Sequence, residues 1–336
     1  MSDPDALSTL ALEILGARGL AHKADLAPVL SALALDSASP VPVGDDCAAI
    51  PDGDGWLLLA MEGFIDSFVA ADPWFAGWCG AMVNLSDVAA MGGRPIALVD
   101  AVWSDGADWA TSLLSGLRAG ADAFGVPIVG GHANLKSQRG GFAAAILGRA
   151  KRLITSFDAR PGDVLISVVD LRGGFRGDAP WWDAATGAPP ARLRDDLDLL
   201  PTLAEAGLCA AGKDVSMAGL VGTALMLLEA SGVGGVIDPH QAPRPQGVSI
   251  TRWIAAFPSY GYVLAVSPKH VEAVVAHFSG RGIAASPFGH VRAGRRVDLA
   301  KGAETTPLWD FNAQPLVGCG PAPARAIPDQ MDSSVL

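Results

Sequence analysis

The chain has no surplus of positive charge. Its 24 Lys and Arg stand against 35 Asp and Glu, for a formal net charge of −11. A nucleic-acid surface needs clustered cations to neutralise phosphates, so no nucleic-acid partner is expected. An acidic protein can still bind nucleotides where a metal supplies positive charge. Cysteine is sparse and scattered. Cys47, Cys79, Cys209 and Cys319 form neither a CxxC pair nor a Cys/His ligand spacing, which argues against zinc and for reduced, buried thiols in a cytoplasmic protein. Apolar runs are broken by charge or proline before the ~20 residues of a membrane span, so no membrane partner is expected. The acidic start MSDPDALSTLALEIL lacks the basic segment of a signal peptide. Walker A, GxGxxG, GxSxG and HExxH patterns are also missing.

What is present is globular. Half of the 336 residues are hydrophobic and 18% are charged, a length and balance that suggest two domains with a sizeable core. Helix-like spacing predicts helices over 5–35, 74–91, 107–124 (with Gly125 as C-cap), 197–211, 217–231 and 268–279. Short apolar or β-rich runs predict strands at 56–62, 95–103, 126–131, 141–150, within 159–171, at 262–268 and around Phe288–Val291. Residues 172–196 show no period and read as a long loop or insertion, a length that is usually functional or mobile. The boundaries expected are an N-terminal helical segment 1–40, domains 41–155 and 156–320, and a tail 321–336.

Four short stretches could carry chemistry. Gly44-Asp45-Asp46 reads either as a turn or as a pair of hard oxygen ligands for Mg²⁺. Asn84 and Asp87 lie three apart on one face of an apolar helix. A buried carboxylate there needs a metal or hydrogen-bond donors as partner; the alternative is an N-cap for the turn that follows. Gly130-Gly131-His132 follows a strand, where paired glycines let backbone N–H groups approach an anion; the lone histidine can equally be structural. Asp214 stands just ahead of a helix with Ser216 as a possible N-cap, and a helix N-terminus attracts phosphate. His22-Lys23 reads as a solvated surface pair that could reach a phosphate.

In series, VGDDCAAI, MEGFID, NLSDVAAMGGRP, GGHAN, DVSMAGLVG, LLEASGVGGVID and FGHVRAGRRVDL resemble the AIR-synthase (PurM-like) superfamily over about residues 40–300. That superfamily includes thiamine-monophosphate kinase, selenophosphate synthetase and HypE. PWWDAATG, DLDLLPTLAEAGL, KDVSMAGLVGT and FPSYGYVLAV resemble an uncharacterised AIR-synthase-related subgroup.

The resemblance implies a two-domain α/β (α+β) fold, an N-terminal domain that dimerises through its strands, and a second α/β domain. It implies ATP between the domains, Mg²⁺ held by acids, and γ-phosphoryl transfer that activates a small molecule in a kinase, synthetase or cyclo-ligase reaction. Asp45, Asp46, Glu62, Asp87 and Asp214 would hold metal. Asn84, Gly130, Gly131 and His132 would line the nucleotide or substrate pocket, with His132 the catalytic candidate. Arg172, Arg176, Trp181, Trp182 and Arg192 would belong to a substrate lid. Glu62 stands where relatives carry Asp. GGH replaces GGD, and Ser216-Met217-Ala218 replaces Ser-Asp-Gly, which weighs against thiamine-phosphate phosphorylation. The alternatives are a catalytically reduced nucleotide sensor or assembly subunit, and a thiamine-monophosphate-kinase-like kinase.

Overall fold

The computed structural model describes residues 7–23, 25–33 and 40–319. Strands form two main sheets in succession along the chain. The first has five strands in the order Ala48–Asp52, Gly55–Gly63, Lys136–Ala150, Arg94–Asp105, Ile128–Asn134. Only its last pair is parallel.

One face of this sheet is covered by the helices Pro73–Ala90 and Ala107–Phe124. Asp72 starts the first of them: its carboxylate accepts from the Phe75 N–H at 3.0 Å, and Pro73 fits the first turn. The two helices approach closely because Gly77 and Gly116 let them. A β-carbon at Gly77 would sit 1.9 Å from the Leu113 carbonyl oxygen, and one at Gly116 would sit 1.8 Å from that of Trp74. Gly125 ends the second helix at φ +73°, as its sequence predicts.

The alternation of a strand puts Leu58, Ala60 and Ile146 under the helices. It turns Leu59, Met61, Val99 and Leu147 to the opposite face. Leu59 pairs with Leu147, and Met61 aligns through Ala145 with Val99. These four residues are exposed, Met61 by 73%.

The second sheet has seven strands in the order Glu304–Asp310, Arg296–Lys301, Gly234–Ile237, Ala284–Arg292, Val164–Val169, Gly261–Val266, Ala211–Asp214. Against it lies the helix Gly219–Ala230, buried at every position, as a helix that is apolar nearly all round requires; Glu229 is its one charged residue. The stretch 5–35, read as helical, is divided among the short helices Leu7–Leu15, Arg18–Lys23 and Leu26–Ala32.

Residues 172–196 are not a free loop. Trp181–Asp183 pairs with Gly174–Phe175 on one side and with Phe257–Pro258 on the other, and Pro190–Leu197 is helical. The buried Trp182 donates its indole N–H to the Asp170 carbonyl at 2.9 Å. The missed strands Gly234–Ile237, Arg296–Lys301 and Glu304–Asp310 are short and carry charge or glycine. Among the described residues no helix is long and apolar enough to cross a membrane, and the four cysteines are free and buried.

Candidate active site

The two sheets meet where the Gly44-Asp45-Asp46 loop crosses the end of the strand Ala211–Asp214. Asp45 turns to the chain connection. Its carboxylate accepts from the Ser156 hydroxyl at 2.6 Å and the Ser156 N–H at 2.9 Å. Asp46 turns the other way. It accepts from the Asp214 N–H at 3.2 Å and forms an ion pair with Lys213 Nζ.

The helix Pro73–Ala90 delivers Asp87 to the same point. Asp46, Asp87 and Asp214 each bring a carboxylate oxygen within 4.8 Å of the others. Asp87 is in the interior of this helix and is therefore not an N-cap. Its Oδ2 is buried with no hydrogen-bond partner. Three hard oxygen donors, one of them orphaned, fit a divalent cation such as Mg²⁺.

The electrostatics mark the same point. Burial, then the carboxylates of Asp214, Glu62 and Asp46, hold the Asp87 carboxyl well above the usual range against the pull of Lys213. Burial and Asp46 push Asp214 up to about 7, opposed by Lys213 and Lys23. Burial and Asp46 raise Asp45 to about 6, opposed by Lys213 and the Ser156 bonds. Glu62 is also raised, chiefly by burial. Glu62 is exposed in the single chain and lines the cavity. Lys213 is held above the usual lysine range, because Asp46, Asp45 and Asp214 outweigh its own burial.

The acids close one end of a cavity of about 520 Å³. Lys23, Glu62, Ser216, Met217, Trp181 and Trp182 also line it. Ser216 does not cap the following helix, whose N-cap is Ala218; its Oγ is buried without a partner. Lys23, read from the sequence as a surface residue, forms part of the wall. His22 turns to Asp25, 3.7 Å away.

Several predicted residues lie elsewhere. Asn84 is fully buried, and its amide donates to the carbonyls of Gly80 (2.8 Å) and Ala144 (3.2 Å), tying the helix to its sheet. Gly130, Gly131 and His132 lie on the exposed edge strand Ile128–Asn134 and do not line the cavity. Gly131 is needed there because a β-carbon would come 2.8 Å from the Asp100 carbonyl oxygen.

Arg172 binds the buried carboxylates of Asp170 and Asp196, each at 2.8 Å. Arg192 sits 3.4 Å from Asp170. Arg176 pairs with Asp72 and Asp183 and lies 3.8 Å over the Phe75 ring. These guanidiniums have intramolecular carboxylate partners. Sequence reasoning missed Lys213. The residue stood beside Asp214, but its partner is 167 positions away.

This frame, two α/β sheets meeting at an acid cluster, defines a two-domain PurM-like protein. The chain belongs to the AIR synthase-related family: residues 44–150 match the family's N-terminal domain model and residues 160–301 its C-terminal domain model. An uncharacterised protein of Synechocystis sp. is 46% identical over 93% of this chain and 98% of its own length. The thiamine-monophosphate kinase of Synechococcus elongatus is 30% identical over 69% of this chain and 79% of its own. Among solved structures, T. maritima PurL complexed with FGAR shares the fold with a TM-score of 0.69 at 17% identity over 95% of this chain, which spans 54% of that protein. AaThiL complexed with AMPPCP and TMP matches with a TM-score of 0.62 at 18% identity, over 84% of this chain and 95% of that one.

Proposed function

We propose that the protein is an Mg²⁺-dependent, ATP-using enzyme that transfers the γ-phosphoryl group to a small molecule and so activates it. The observation that carries this reading is the meeting of Asp46, Asp87 and Asp214, with the orphaned Asp87 Oδ2, at one end of a cavity. Relatives named as a kinase, and neighbours in fold complexed with ATP or AMPPCP, support it.

Asp46, Asp87 and Asp214 would hold the metal, with Glu62 at the margin and Asp45 fixing the loop from behind. Bound there, Mg²⁺ would neutralise the triphosphate and the charge that develops on the transferred group. Lys213 pairs with one oxygen of Asp46 and fixes the orientation of that carboxylate at the acid cluster. Lys23 presents an ammonium to the same end of the cavity, and the Ser216 hydroxyl is free to donate to a phosphate oxygen. We place the N-terminal domain at 41–155 and the C-terminal domain at 156–320. The uncovered face of the first sheet supports a homodimer.

A second reading, a catalytically reduced nucleotide sensor, is favoured by one observation. Met217 stands in the cavity wall, at the position where the resemblance to the kinases implies an acid. One experiment tests both. AMP-PCP should raise the melting temperature of the wild type only with Mg²⁺, through preferential binding to the native state, and should not do so in Asp87→Asn. ATP turnover across candidate acceptors then separates enzyme from sensor. A nucleotide shift that is independent of Mg²⁺ and of Asp87 would sink the metal assignment.

A further inference from the structure

The helix Pro73–Ala90 contributes Phe75, Cys79, Met82, Val83 and Asp87 to the cavity. At 1.5 Å per residue, Asp87 and Phe75 are about 18 Å apart along the helix. The cavity therefore runs from an acid end to an end walled by aromatic rings. There Trp181 lies 4.4 Å from Phe68 and 6.2 Å from Phe75, centroid to centroid, and Phe64 continues the series 6.3 Å from Phe68. Phe257 and Met82 complete the apolar wall.

The polar groups at this end already have partners. The Asp183 carboxylate accepts from the N–H groups of Ala185 (3.1 Å) and Thr186 (2.9 Å) and from Arg176 (3.2 Å). The Ser259 hydroxyl accepts from the Ala184 N–H at 2.9 Å. Among the described residues, the cations that line the cavity are Lys23 and Lys213, and both face the acids. Arg176 is neutralised by Asp72 and Asp183. A phosphate placed at the aromatic end would lose its hydration and meet no free cation.

We propose that the acceptor is a molecule without an anionic group, with a flat, apolar body and a hydroxyl nucleophile. This assignment rests on the kinase reading above and names its substrate class. The body lies among Phe68, Phe75 and Trp181, and the hydroxyl oxygen reaches the acid end. There the oxygen bonds to the γ-phosphorus and the bond from that phosphorus to the β–γ bridging oxygen breaks. ADP leaves with the bonding pair, and the hydroxyl proton passes to solvent. A thiamine-monophosphate-like acceptor, which carries a phosphate of its own, does not fit this wall.

The test uses 2-naphthol and 2-naphthyl phosphate as probes, titrated calorimetrically into the full chain saturated with AMP-PCP and Mg²⁺. Naphthol should bind, and its phosphate should bind at least about a hundredfold more weakly for want of a cation. Trp181→Ala should weaken naphthol binding by about tenfold. Phe68→Leu, a smaller change, should weaken it in the same direction and serves if Trp181→Ala fails to fold. Naphthyl phosphate binding as tightly as naphthol, no naphthol binding, or binding indifferent to both substitutions overturns the assignment. The wild-type nucleotide shift keeps the two readings apart. With the Mg²⁺-dependent shift present, these failures remove the acceptor class alone; with it missing, the kinase reading falls and this assignment falls with it.

Discussion

Lys213, on a strand of the seven-stranded sheet, forms an ion pair with Asp46, on the loop that leads into the five-stranded sheet 167 positions away in the chain. Both side chains are buried, with 9% and 4% of their surface exposed. The pair therefore joins the two halves of the molecule at the point where the acids meet. Truncating one partner leaves the other as an uncompensated buried charge. Lys213→Met should lower the unfolding free energy by about 3 kcal/mol, the scale for breaking a buried pair. Adding Asp46→Asn to it should recover part of that loss, since the orphaned charge is gone. Chemical denaturation of the single and double variants measures both values. An additive double variant would show that the pair contributes nothing as a pair.

The crowded acids make metal-free stability depend on pH. Folded Asp214 titrates at about 7 and Asp45 at about 6, against 3.8 for an ordinary aspartate. Between these values the folded chain retains protons that the unfolded chain has released. Stability therefore falls as pH rises from about 4 to 7. Mg²⁺ competes with those protons, so its stabilising effect should grow over the same window. Melting curves from acid to neutral pH, with and without Mg²⁺, read both slopes. A metal-free melting temperature that climbs through this window contradicts the account.

Glu229 provides another long-range tie. Its buried carboxylate accepts from the N–H groups of Leu316 and Val317, both at 2.7 Å, and from Gly318 at 3.4 Å. This holds Val317 and Cys319 in the cavity wall, with Cys319 packed against Gly44. Glu229→Ala should cost about 3 kcal/mol by leaving buried donors unpaired. Glu229→Gln, which keeps one acceptor oxygen, should cost less. The reaction of Cys319 with a thiol reagent in the native protein should accelerate in the same order. An unchanged thiol rate in Glu229→Ala would show that the segment is held by something else.

The uncovered face of the five-stranded sheet makes a separate prediction. Leu59, Met61, Val99 and Leu147 form neighbouring rows of exposed apolar side chains, a patch that favours association. Met61→Lys should shift a dimer towards monomer without loss of monomer stability, since this side chain is 73% exposed in the single chain. Sedimentation velocity at several concentrations distinguishes the two. A wild type that stays monomeric throughout would remove the dimer.

Local patterns made much of this legible. The helical period put Asp87 on the right element, the Gly44-Asp45-Asp46 motif marked the loop that meets the strand Ala211–Asp214, and Gly125 ended its helix as read. Pairings distant in sequence were not legible. Nothing local to Lys213 names Asp46 as its partner, and nothing near Arg172 reveals the buried Asp196. The paired glycines before His132 suggested an anion cradle because their chemistry fits one, yet their strand lies on the open edge of a sheet. Residues 172–196 lacked a period because their strands are two and three residues long, too short for alternation to register.

The contact between Gly19 and the Met217 carbonyl has a kinetic consequence. A β-carbon at Gly19 would come 1.8 Å from that oxygen, so the helix Arg18–Lys23 rests directly on the 216–218 segment and brings Lys23 to the cavity. The rest of the cavity wall is riveted across the seam by Asp45–Ser156, Asp46–Asp214 and Ser86–Tyr262. Bending the two halves apart would break all three ties together, whereas lifting one six-residue helix breaks none of them. The rates at which molecules enter and leave should therefore depend on how this helix is seated. A bulkier residue at position 19 should change those rates before it changes the chemistry.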